Sequence, residues 1–106
     1  MVHGLQLLHR YPHVLEAADG TRWTASAYAA PADDGRVAHG WLVFFEVHGT
    51  DARPTDRETT QPDLEAARYW ATGLERVYLE GALARARALS PEKNREVTDL
   101  LLEAAE

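Results

Sequence analysis

The chain has 106 residues, of which 26% are charged and 45% hydrophobic, and a formal net charge of −6. A length of this order makes one domain, and the absence of Cys excludes disulfides, thiolate metal sites and a Cys nucleophile. Residues 1–62 hold five Arg against eight Asp and Glu, and residues 63–106 hold six Lys and Arg against nine, so no basic region invites a phosphate backbone and nucleic-acid binding is disfavoured.

The first residues, MVHGLQLLHRYP, lack the basic start and long apolar stretch of a signal peptide. No apolar run approaches the roughly 20 residues of a membrane-spanning helix. The chain is expected to be soluble, acidic and cytoplasmic, with no membrane partner.

Residues 7–48 read as a sheet of three strands. The first covers 7–17, and Pro12 within it cannot donate to a ladder, which places the strand at an edge. Asp19-Gly20 signals a two-residue hairpin. The second strand covers 21–30. Asp33-Asp34-Gly35 reads as a three-residue turn with Gly35 at positive φ. The third strand covers 37–48, with GWLVFFEV at its centre.

These turns set an expected register. Val14 faces Ala25, His13 faces Ser26 and Tyr11 faces Tyr28. Ala27 faces Trp41, Ala25 faces Val43, Trp23 faces Phe45 and Arg22 faces Glu46. One face then collects Leu8, Val14, Trp23, Ala25, Ala27, Ala29, Trp41, Val43, Phe45 and Val47, a nearly continuous apolar bed. The other face is mixed, with His9, Tyr11, His13, Leu15, Thr24, Ser26, Tyr28, Leu42, Phe44, Glu46 and His48. In a 1-2-3 meander the third strand is also an edge. It is long and apolar, and such an edge pairs or is covered, because otherwise it aggregates. Pairing of two third strands across a twofold axis is the expected route to a homodimer.

Residues 49–62, GTDARPTDRETTQP, read as a polar loop. Residues 63–89 read as one long amphipathic helix, opened by a capping box of Thr60 and Asp63 with Pro62 in the first turn. At 100° per residue, Leu64, Ala67, Trp70, Ala71, Leu74, Val77, Tyr78, Gly81, Ala82, Ala88 and Leu89 share a broad face. Gly73 and Gly81 read as close-packing points. Arg85 falls within the apolar stripe, and its stem is expected to pack with its head in water. Leu79 and Leu83 fall on the polar side, four residues apart, and suggest a second contact. Ser90-Pro91-Glu92 opens a short helix over 91–105 with Val97, Leu100, Leu101 and Ala104 on one side. The expected fold is α+β: a three-stranded antiparallel meander packed on one long helix, with a short C-terminal helix.

Order alone, three strands then a helix with Tyr11-Pro12 in the first strand, resembles HicB-type antitoxin domains. Their helix-opening motif and basic tail have no counterpart here, so no residue role is carried over.

The chemistry-bearing residues form no catalytic set. His9 and His13 are about 13 Å apart along a strand and cannot share an ion. His48 with Glu46 is a two-residue pair, short of a metal site. Ser26 beside His13 lacks an acidic orienter and an oxyanion hole. No cofactor or metal is expected. The best site is the loop before the helix, where Arg53, Arg57, Glu58, Thr60 and Gln61 combine hydrogen-bonding groups with a helix start that favours anions. Leu42 and Phe44 on the third strand, with Leu79 and Leu83, are the interface candidates. The first expectation is a non-catalytic homodimeric binding or assembly domain. The alternative is a binder of a small anionic ligand, or an enzyme, with its pocket at the 49–62 loop.

Overall fold

The computed structural model describes residues 5–32 and 34–89. Among these residues the fold is α+β, with an antiparallel sheet and two helices. The strands are β1 (Gln6–Glu16), β2 (Arg22–Pro31), β3 (Ala38–Glu46), β4 (Ala52–Pro54) and β5 (Thr59–Gln61). The helices are α1 (Leu64–Thr72) and α2 (Arg76–Ala88). The expected helix over 91–105 lies outside the described residues.

Both hairpin loops are one residue longer than their turn residues suggest. At the first, the Ala17 N–H donates to the Thr21 carbonyl at 2.8 Å and the Gly20 N–H to the Ala17 carbonyl at 2.9 Å, leaving residues 18–20 as the loop. A two-residue type I′ loop needs positive φ at both central positions. Only Gly20 has it, at +86°, and Asp19 instead accepts from the Thr21 N–H and hydroxyl. At the second loop the Ala32 N–H donates to the Val37 carbonyl at 2.8 Å, and Gly35 has the expected positive φ, +71°.

A one-residue slip turns a strand over. β2 keeps the expected orientation, with Trp23, Ala25, Ala27 and Ala29 towards the helices. β3 is reversed: Ala25 faces Phe44, Ala27 faces Leu42 and Trp23 faces Glu46. Leu42 and Phe44 therefore enter the helix-side core, while Trp41, Val43 and Phe45 turn to the other side.

Strand β1 departs further. Leu7 pairs with Tyr28 and His9 with Ala27, which leaves Leu8 as an extra residue. Arg10 pairs with Ser26 and Val14 with Thr24, so Tyr11, Pro12 and His13 all lie opposite Ala25 alone. Pro12 cannot donate to the ladder, and such residues collect at bulges. The two irregularities let Leu8, Tyr11 and Leu15 all bury on the helix side, a spacing that strict alternation forbids. The expected pairs Val14–Ala25, His13–Ser26 and Tyr11–Tyr28 are not formed.

The 49–62 segment is not a free loop. It supplies β4 and β5, which together cover the outer edge of β3. Between them Thr55 bridges the gap: its N–H donates to the Leu42 carbonyl at 2.9 Å and its hydroxyl accepts from the Leu42 N–H at 3.2 Å. The Glu58 N–H then donates to the Gly40 carbonyl at 2.8 Å. The exposed β3 edge expected from the meander is thus paired within its own chain. Three-residue strands carry too little periodicity to read, but an open, apolar neighbour gives their backbone groups partners.

The long helix is two. α1 stops at Gly73, a poor helix former, and α2 restarts from Glu75. At this helix end the Ala71 carbonyl accepts from the Leu74 N–H at 3.4 Å and also from the Tyr11 phenol at 2.5 Å, inside the core. The break resets the helical phase. Leu79, Ala82, Leu83 and Ala86 are the buried residues of α2, while Val77 and Tyr78 are exposed. A single continuous wheel places Val77 and Tyr78 inward and Leu79 and Leu83 outward, the reverse of what is found, whereas Ala82 is inward in both. Asp63 itself caps α1, accepting from the Ala66 N–H at 2.8 Å, and Thr60 lies in β5 instead of in a capping box. Neither expected glycine packs closely: Gly73 is the C-cap of α1, and a side chain at Gly81 would meet open space. A close approach within the packed sheet is at Gly40, where an added Cβ would lie 2.8 Å from Thr59 Cγ2 and 3.0 Å from Trp70 Cζ3.

Candidate functional site

The sheet side away from the helices is laid out in rows across the strands. Leu7, Tyr28 and Trp41 form one row. Arg10, Ser26, Val43 and Pro54 form the next, and Val14, Thr24, Phe45 and Ala52 the third. Trp41, Val43 and Ala30 are buried there, with Leu5, Tyr28 and Phe45 packed against them.

The β1 bulge opens a hollow in this face. Because Tyr11-Pro12-His13 has only Ala25 opposite it, the strands separate between the Arg10 and Val14 rows. The hollow is about 380 Å³, lined by Arg10, Tyr11, Thr24, Ala25, Ser26, Tyr28 and Phe45. Ser26 is 7% exposed, yet no hydrogen bond among the described residues uses its hydroxyl. Arg10 makes no ion pair among the described residues. Burial raises the Tyr28 phenol above its ordinary value, and the positive charge of Arg10 pulls partly the other way. The phenol stays protonated at neutral pH and is a donor. The hollow therefore joins a guanidinium, two hydroxyls and a phenol to an aromatic wall.

The loop residues singled out in the sequence are occupied otherwise. Arg53 pairs with Asp51 at 2.9 Å, Thr60 shares a hydrogen bond with His39 at 3.0 Å, and the Gln61 amide donates to Thr59 at 2.6 Å. Arg57 is exposed and also has an interaction of its own. The amides near Thr60 belong to a strand, and the N-terminus of α1 is filled by the Asp63 carboxylate, so the expected anion cup is not assembled there.

Glu58 has a different role. Its side chain is 3% exposed, and its carboxylate accepts two hydrogen bonds from Arg85, at 2.7 and 3.0 Å, and one from the Tyr78 phenol at 2.6 Å. The Arg85 side chain is 53% exposed, and its guanidinium carbon lies 5.7 Å from the Tyr78 ring centre. The hydrogen bonds to Glu58 raise Arg85 further above its usual value, and burial followed by Glu58 raises Tyr78. This set clamps the segment before β5 onto α2. The expectation of a wet Arg85 head is right in exposure, but the head is also bound.

Leu42, Phe44, Leu79 and Leu83 are all in the core of a single chain. His13 lies in the bulge, and Ser26 pairs with Arg10 instead. Among the described residues no group of three His, Asp or Glu is placed to hold a metal ion, and no helix is long and apolar enough to cross a membrane. The hollow escaped the sequence reading because it depends on a bulge. The readable signal was Pro12 inside an otherwise continuous strand. No protein-family model, no curated protein and no solved structure matches this chain.

Proposed function

We propose that this chain is a small non-catalytic binding domain and that the hollow at the β1 bulge takes its ligand. The observation that carries this is the Ser26 hydroxyl, buried without a hydrogen bond among the described residues, beside an Arg10 that has no ion pair among them. Buried polar groups are ordinarily satisfied, and one left open beside a cavity is suited to a ligand or ordered water. The lining favours holding over transforming. A guanidinium is not a base, and the Tyr28 phenol is raised, so no group there abstracts a proton near neutrality. A fragment screen followed by amide shifts in nuclear magnetic resonance tests the site. Shifts concentrated at residues 10, 24, 26 and 28 support it, and shifts elsewhere only would remove it.

Assembly with a second copy is the other reading. It moves away from the β3 edge, which β4 and β5 occupy, to the outer sides of the helices. Tyr69 of α1 is 82% and Val77 of α2 72% exposed. Sedimentation velocity on the full chain and on Val77→Asp reads it directly. A dimer that the substitution dissociates supports this surface, and a monomer at every concentration refutes it.

A further inference from the structure

The chemistry of the hollow narrows its ligand. Arg10 offers a planar fork of donors, the geometry that meets a carboxylate with two parallel hydrogen bonds. The Ser26 hydroxyl and the protonated Tyr28 phenol line the same hollow, and both are donors suited to an anion. No carboxylate lines the hollow, which argues against a cationic ligand. A phosphate group is also a poor match. It brings close to two negative charges towards a single guanidinium, on a chain whose formal net charge is −6. Phosphate sites more often gather several cations or a helix N-terminus.

The remaining lining is apolar. Phe45 forms part of the wall and packs onto the buried Trp41 and Val43 behind it. A bare ion leaves that surface unused, whereas a flat apolar body covers it and stacks on the ring. The volume, about 380 Å³, is at the small end of ligand pockets, which begin at roughly 300 Å³. We infer that the hollow binds a small monocarboxylate with an aromatic or flat apolar body, its carboxylate on Arg10, Ser26 and Tyr28 and its body against Phe45. This rests on the binding-domain reading above and gives it a ligand class.

The test is a set of three titrations of the full chain, followed by amide shifts: 3-phenylpropionate, its neutral amide 3-phenylpropanamide, and inorganic phosphate. The acid is expected to shift residues 10, 24, 26 and 28 saturably. The neutral amide is expected to bind about tenfold more weakly, as is the acid to Arg10→Gln, the scale for losing a charge-assisted hydrogen bond. Arg10 is exposed, so its replacement leaves the core intact, and the unliganded spectrum verifies this. Tyr28→Phe, which removes only a hydroxyl, is the second variant and also weakens the acid. If the amide binds as tightly as the acid, the charge class is overturned while the site stands. If phosphate binds as tightly as the acid, the apolar body is overturned. If none of the three perturbs these residues, both the ligand class and the binding site fall.

Discussion

The two sides of the sheet are made by the same three long strands, yet they close in different ways. On the helix side, Ala25, Ala27 and Ala29 of β2 stand beside Leu42 and Phe44 of β3, and small Ala67 and Ala71 of α1 come down onto them. Small residues let a helix approach, and the large ones at the margins fill the layer. On the far side, Thr24, Ser26 and Tyr28 alternate with those alanines, and Trp41, Val43 and Phe45 cluster with one another. The first side has its polar end groups answered, as with the Tyr11 phenol on the Ala71 carbonyl. The second keeps a hollow with open donors. The difference teaches that alternation along β2 decides how each side closes: close packing on one, a polar-lined hollow on the other.

The sharpest way to break this comparison is a matched pair on β3. Phe44→Ala is expected to cost about 3–5 kcal/mol, the range for emptying a fully buried aromatic position. Phe45→Ala, half buried on the other side, is expected to cost about 1–2 kcal/mol for its smaller buried area. Chemical denaturation measures both, and equal losses would mean that the two sides are equally closed.

A second pair uses glycines. Gly40→Ala pushes a methyl group against Thr59 and Trp70 and is expected to destabilise by about 1–3 kcal/mol. Gly81→Ala meets open space within α2 and is expected to stabilise by about 1 kcal/mol, from helix propensity alone. Opposite signs in thermal midpoints would support the tight seam at Gly40. A neutral Gly40→Ala would place that seam elsewhere.

The smallest effect is one of pH. Burial, and secondarily Tyr78, raises the Tyr11 phenol well above its ordinary value near 10. The folded state therefore favours the protonated phenol. Its stabilising contribution is complete below about pH 10 and is lost as pH rises from there towards the folded value, by at most about 1.4 kcal/mol per unit. Thermal midpoints across alkaline pH should fall in the native chain and fall less steeply in Tyr11→Phe. Identical slopes would show that this side of the sheet does not hold the phenol closed.

Much of the sheet was legible. Positive-φ glycines at residues 20 and 35 marked both hairpins, and β2 was oriented correctly by its alternation of Trp23 and alanines with polar residues. The β3 edge was recognised as one that must be covered or paired. What covers it was not legible, because β4 and β5 are each three residues long and gain their stability from β3. Glu58, a candidate ligand contact by sequence, does bind a guanidinium, but one supplied by Arg85 of the same chain. The hollow is not legible because regular pairing sets His13 opposite Ser26, whereas the bulge brings Arg10 there.

By itself, the sequence determined the α+β class, the three long strands in antiparallel order and the helical character of the segment after them. Each of these follows from local rules: period-two alternation, turn residues and helix propensity. Only the tertiary structure decided the register, the break at Gly73 and the hollow. One residue more in each hairpin loop reverses a strand, one broken turn rotates a helix, and a bulge at Pro12 changes which side chain stands beside Ser26. These choices are made by which groups find partners across the fold, and no local pattern carries that information.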